Sequence, residues 1–246
     1  MQAVKILKEK LNLIKNKSFV FHSDLTILGR ELSSLKGHLI KYISQELNAD
    51  NLAIPAFNLK TNNKDEIDMK SIDLSMGSLS VEGVQACNEK KGYRTPNPIH
   101  SYCFFPETNN IKLIDNNKSF GDNSVFDFFI KNDFIWINFG APINSGFTIF
   151  HHLENIAQVP YRKQIEFNRN LLIEDEIKKL CFKYYARKNN SFSHNFYPAI
   201  NYLIKINLLH EINVSGRSIY FGSSKNISEA ILKKLTNEPN FLITNN

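Results

Sequence analysis

The chain has 246 residues, 42% of them hydrophobic, with 30 Lys+Arg against 24 Asp+Glu and a formal net charge of +6. These proportions exclude wholesale disorder, and no apolar run of about 18 residues is present to cross a bilayer as a helix. The three cysteines, Cys87, Cys103 and Cys181, are far apart and form no CxxC pair. They indicate neither a zinc site nor a disulfide framework, and each reads as buried apolar filler.

The opening MQAVKILKEKLNLIKNK lacks the continuous apolar stretch and cleavage site of a secretory signal, so a cytoplasmic location is expected. Its Val4, Ile6, Leu7, Leu11 and Ile14 fit an amphipathic helix. SFVFHSDL (18–25) reads as a strand running into a polar loop. LSSLKGHLIKYISQELN follows with helical spacing at Leu35, Leu39, Ile40, Ile43 and Leu47, and NLAIPAF is a second strand. Strand, helix, strand is the order of a parallel βαβ unit.

The polar stretch from Asn58 to Asp73 reads as a loop, VEGVQACNEKKG as a short helix, and YRTPNPIHSY as a proline-stiffened loop. SVFDFFIKN predicts a helix before a buried strand at 134–139. KQIEFNRNLLI and KKLCFKYYAR read as strands. FYPAINYLIKINLLHEI reads as a helix, RSIYFG as a strand and ISEAILKKL as a closing helix. The expected fold class is α/β or mixed α+β in one domain spanning 1–246, with a largely parallel central sheet flanked by helices.

The net charge points to an anionic partner. The lysines are spread along the chain with no nucleic-acid-binding motif, so a phosphate-bearing small molecule suits the excess better than DNA or RNA.

TIFHHLENIA (148–157) carries the clearest chemistry. Thr148, His151 and Glu154 share a helical face, which lets His151 meet Glu154. Thr148 is a candidate N-cap, placing His151 in the first turn, where the helix dipole favours a neutral imidazole able to accept a proton. His152 points about 100° away and reads as a packing residue. Ser23 and Asp24 sit where a parallel strand ends, a common place for ligands. Arg94 with nearby hydroxyls in YRTPNPIHS suits phosphate.

The order HSDL, MGSLSVE, YRTPNPIHS, FGDNSVF, TIFHHLE and VPYR, from about Phe19 to Arg162, resembles the aminoglycoside 3-N-acetyltransferase family. A looser echo runs from 196 to 244. The resemblance implies an antibiotic N-acetyltransferase-like fold and transfer of an acetyl group from acetyl-CoA to a primary amine of a sugar. It implies His151 as the base and Glu154 as its partner or as a contact for the substrate amine; the chemistry itself needs no metal. It assigns Ser23, Asp24, Arg94, Thr95 and Ser101 to the CoA site and cleft, and Glu82 and His100 to the acceptor side. Thr95 stands in place of the family's serine and Asn97 in place of a histidine, which leaves the acceptor's identity open.

Aminoglycosides are polycations and call for an acidic site, whereas this chain is basic. The expected acceptor is therefore a nucleotide-linked amino sugar, used in surface-polysaccharide synthesis. Antibiotic inactivation is the alternative within the enzyme class, and a catalytically inactive binding protein on the same scaffold is the alternative outside it.

Overall fold

The computed structural model describes residues 2–12, 14–58, 66–107, 109–173, 175–189 and 191–245. In chain order the first elements are α1 (Gln2–Leu11), β1 (Ser18–Ser23), α2 (Glu31–Leu35), α3 (Leu39–Leu47), β2 (Asn51–Pro55), β3 (Glu66–Asp68) and α4 (Ser78–Asn88). There follow β4 (Tyr93–Arg94), β5 (Tyr102–Phe105), α5 (Val125–Lys131), β6 (Ile135–Phe139), α6 (Ile143–Gly146) and α7 (Ile149–Ile156). The remainder is β7 (Arg162–Ile173), β8 (Glu176–Arg187), β9 (Phe192–His194), α8 (Tyr197–Lys205), β10 (His210–Val214), β11 (Arg217–Ser223), α9 (Ser224–Asn237) and β12 (Ile243–Asn245).

The main sheet has the order β10-β11-β6-β1-β2-β5-β4. Its three central strands, β6, β1 and β2, are parallel, and the four pairings outside them are antiparallel. The predicted parallel unit is thus the middle of a mixed sheet. Alternation along β1 explains why both faces are covered: Phe19 and Phe21 enter one apolar cluster with Val4 and Leu7 of α1 and Ile43 of α3. Val20 enters the other, with Trp136, Phe150 and Ile231. β3, β7 and β8 form a second sheet, and β9 pairs with β12.

Several boundaries differ from the sequence reading. The helix expected across 32–48 is broken into α2 and α3, because Gly37 turns at φ 81 between them. The helix expected over 196–212 stops at Lys205. Asn207 is left-handed (φ 58), and the Leu208 amide bonds back to the Leu203 carbonyl, a closure that ends the helix and releases β10. The expected 58–73 loop contains β3, while 59–65 lie outside the described residues. Cys103 is buried as expected, Cys87 is partly buried, and Cys181 is exposed on β8, contrary to its reading as filler. No helix among the described residues is long and apolar enough to cross a membrane.

Candidate active site

The carboxyl ends of the parallel strands lie at one edge of the sheet, and a cavity of about 720 Å³ opens there. His22 and Ser23 at the end of β1, Pro55 at the end of β2 and Ala141 just after β6 all line it. A smaller cavity, about 570 Å³, is lined by Arg162, Ser193 and His194. Four residues, Asn144, His151, Tyr184 and Arg187, line both. His151 therefore stands where two cavities meet.

Helix α7 is held there by its apolar side. Ile149, Phe150 and Leu153 are fully buried, and α6 packs closely enough on β6 that a side chain at Gly146 would overlap the Asn138 amide. Thr148 is not the N-cap expected. Its backbone is already helical (φ −60, ψ −18), it makes no capping bond, and its hydroxyl lies 3.4 Å from the Tyr102 hydroxyl.

His151 Nδ1 lies 2.8 Å from Glu154 Oε2. The Glu154 carboxylate is fully buried, accepts from the Tyr161 hydroxyl at 2.8 Å through Oε1, and has Arg162 Nε 2.8 Å from Oε2. That last approach is an ion contact rather than an aligned hydrogen bond. Arg162, itself buried, donates to the Tyr185 carbonyl and reaches His194 Nε2 at 2.7 Å and His151 Nδ1 at 2.9 Å. Nδ1 cannot both donate to a carboxylate and accept from a guanidinium. The ionised carboxylate demands the donor, so Nδ1 carries the proton and Nε2 is the basic atom, turned away from Glu154.

Burial, the largest influence, pushes the His151 imidazole below 6.5 despite the opposing hydrogen bond and charge of Glu154. For Glu154, burial acts upward. The hydrogen bond from His151 and the positive charge around it outweigh that, holding the carboxyl below its ordinary range. With His151 neutral at pH 7, the cation sustaining this charge is Arg162. His151, Glu154 and His194 bring three metal-ligating atoms within 4.8 Å of one another. The guanidinium of Arg162 already stands among them, so a fixed cation fills the place a metal would take.

The other expected residues divide. Ser23, Asp24 and His100 line the larger cavity. Asp24 is also engaged inside the protein: it caps the turn at Leu25–Leu28 through the Thr26 amide and pairs with Arg217 at 2.7 Å. His100 is buried, bonds Ser119 at 2.7 Å, and is pushed well below 6.5 by burial and by His151 and Arg162. Arg94, Thr95 and Ser101 form a separate internal knot. The Arg94 guanidinium donates to the carbonyls of Met69, Ser71 and Ala56 and to the Ser101 hydroxyl, while Thr95 Oγ1 accepts from the Tyr102 amide. None of the three lines either cavity. Glu82 accepts from the Ile40 amide at 3.0 Å and so serves the N-terminus of α3, away from the cavity lining.

Arg94→Met is expected to destabilise the fold by about 3 kcal/mol or more, since three carbonyls lose their donor. Urea unfolding measures this, and an unchanged midpoint would end the structural role. His152 behaves as the helix wheel implies. It is buried, stacks on Phe126, accepts the Gly121 amide on Nδ1, and is pushed down to about 4 by burial.

Sequence reading missed Arg162 as a site residue, and with it Tyr161, Tyr184, Arg187 and His194. The arginine that closes VPYR was the available signal. His194, from the short strand β9, has no local pattern that could announce it.

No protein-family model matches this sequence, and no curated protein matches it. Solved structures do resemble it throughout. Aminoglycoside acetyltransferase AAC(3)-IIb superposes with a TM-score of 0.72 at 13% identity, covering 95% of this chain and 96% of its own. AAC-IIIb in binary complex with CoASH gives 0.71 at 10% identity, with 96% and 95% covered. AAC-VIa bound to sisomicin gives 0.70 at 11% identity, with 95% and 96% covered. The chain therefore has the fold of these acetyltransferases over nearly its whole length.

Proposed function

We propose that this protein is an acetyl-CoA-dependent N-acyltransferase acting on a primary amine of an amino sugar. The observation that carries the reading is the His151–Glu154 pair, 2.8 Å apart, at the junction of the two cavities. Two-substrate chemistry needs a base that both substrates can reach, and His151 is so placed. The fold's likeness to a CoA-bound and a sisomicin-bound acetyltransferase supports the donor and the kind of acceptor.

A sugar amine is largely protonated at pH 7 and attacks a thioester only when neutral. His151 Nε2 takes the proton as the C–N bond forms, and ionised Glu154 steadies the imidazolium. The C–S bond then breaks, and CoA leaves as a thiolate that is reprotonated. The Gly146 and Phe147 amides already donate to the Pro142 and Ile143 carbonyls, so they are poor oxyanion donors. The Thr148 hydroxyl, which lines the larger cavity, is better placed. We assign the donor to that cavity, with its hydroxyls at Ser23, Thr26, Ser75 and Ser78, and the acceptor to the smaller one.

The acceptor we favour is a nucleotide-linked amino sugar. Among the described residues lining either cavity, Asp24 is the only carboxylate, and Arg217 already pairs with it. That is a poor site for a polycation. Aminoglycoside inactivation is the second reading, favoured by the sisomicin-bound neighbour. The intact His151–Glu154 pair argues against an inactive binding scaffold. We take 1–246 as one unit, since its site draws on residues from His22 to His194.

Release of CoA thiol from acetyl-CoA, with aminoglycosides and UDP- or dTDP-linked amino sugars tested in parallel, decides among these. Turnover with the nucleotide sugars alone is expected. Turnover with aminoglycosides alone would reverse the choice of acceptor, and silence from every amine would remove the acyl-transfer reading.

A further inference from the structure

Arg187, the last residue of β8, is paired in register with Arg162 at the start of β7. The two arginines have opposite surroundings. Arg162 is buried against Glu154, and its charge is used there. Arg187 is exposed, borders both cavities, and lies within 4 Å of no carboxylate among the described residues. Its guanidinium is held loosely over the Phe192 ring, 5.8 Å from the centroid, and one nitrogen lies 3.3 Å from His194 Nδ1.

His194 is neutral, its imidazole pushed down to about 3 by burial and by its neighbours' charges. A neutral imidazole has one donor nitrogen and one acceptor. Arg162 can only donate, and it meets His194 Nε2 at 2.7 Å, so Nε2 is the acceptor and Nδ1 carries the proton. The Arg187 nitrogen facing Nδ1 is also a donor. Two N–H groups therefore converge beside the histidine of the proposed chemistry, with no acceptor bonded to both of them among the described contacts.

We propose that Arg187 and His194 Nδ1–H form an anion subsite that takes a phosphate or carboxylate oxygen of the acceptor. An oxygen placed between them would accept from both donors and neutralise the one positive charge at the mouth of the smaller cavity that the protein leaves unpaired among its described residues. Glu154 and Arg162 offset each other, so Arg187 sets the sign of the field there. The subsite admits acceptors bearing an anionic group and disfavours polycations, which it would meet with like charge. This deepens the N-acyltransferase reading and rests on it for the word acceptor, but not for the anion site itself.

Calorimetric titration of the full chain, saturated with CoA, with UDP as the phosphate probe and glucuronate as the carboxylate probe tests it. UDP, glucuronate or both are expected to bind the wild-type protein, and whichever binds names the source of the oxygen. Arg187→Gln is expected to weaken that binding about tenfold or more. The His194 ring N–H signal is expected to shift on binding. The arginine is exposed, so the variant should fold, which its melting temperature verifies.

Equal binding by wild type and Arg187→Gln, or binding by neither, would overturn the subsite. Probe binding that CoA abolishes would overturn it too, giving Arg187 to the CoA phosphates. Because binding is read without turnover, probe capture through Arg187 without thiol release would sink acyl transfer and keep the subsite. Undiminished aminoglycoside turnover by Arg187→Gln, with no probe binding, would do the reverse.

Discussion

Turnover by the His151→Ala protein is expected to fall about 10²–10⁴-fold, the range that a positioned general base supplies, while the protein remains folded. The fold should survive because His151 is a part-buried ring at a cavity edge, 16% exposed, and not a member of the apolar clusters. CoA-thiol release, with a thermal melt on the same sample, separates the two effects. A folded His151→Ala enzyme with full turnover would end its assignment as the base.

Glu154→Gln should behave differently, and the contrast is diagnostic. Glutamine keeps an oxygen for the Tyr161 hydroxyl but removes the charge that Arg162 is buried against. Breaking a buried pair from one side costs about 3–5 kcal/mol, so this variant should lose stability as well as activity. Adding Arg162→Met should restore part of the stability and none of the activity. Full additivity of the two substitutions would mean the pair is not coupled.

Acid should unfold this protein near pH 5, above the midpoints at which carboxylates ordinarily titrate. His22 and His152 are buried and His194 is partly buried, all three neutral, with imidazoles pushed down to about 3, 4 and 3 mainly by desolvation. His22 lies stacked 4.8 Å from Trp136 and has no charged partner to oppose that burial. Their ordinary value is 6.5. Between 6.5 and the depressed values the unfolded chain binds protons that the folded chain refuses. Stability is therefore full above about pH 6.5 and falls as the pH drops towards the folded-state values.

By pH 5 each such histidine costs about 2 kcal/mol, and three together cost about 6 kcal/mol. A domain of this kind has only about 5–15 kcal/mol to lose. Far-UV circular dichroism followed from pH 7 to pH 3 reads the transition, and His152→Gln should shift it to lower pH by removing one of the three groups. A single transition below pH 4, unmoved by that substitution, would place the acid sensitivity in the carboxylates instead, Glu154 first among them.

Local pattern was enough for much of the frame. SFVFHSDL reads as a strand and SVFDFFIKN as a helix, and β1 and α5 lie there, α5 beginning just after Ser124, whose hydroxyl accepts from the Asp127 amide. Spacing on α7 was enough to bring His151 to Glu154, because residues three apart on a helix are neighbours whatever surrounds them. The resemblance in motif order pointed to the fold found here. For Arg94, Thr95, Ser101 and Glu82 it did not foretell the internal hydrogen bonds that engage them away from the two cavities. A side chain's type limits what it can bind; only its surroundings determine what it does bind.

The sequence by itself determined the mixed α/β order and the His151–Glu154 pair, because each depends on patterns within one element or between adjacent ones. Only the tertiary structure decided that Arg162 neutralises Glu154, that His194 joins it from 32 residues along the chain, and that Arg187 is left with an unpaired charge beside them. These contacts depend on how α7, β7, β8 and β9 pack on one another rather than on spacing within any one of them, and burial then sets their charge states. No local spacing encodes either.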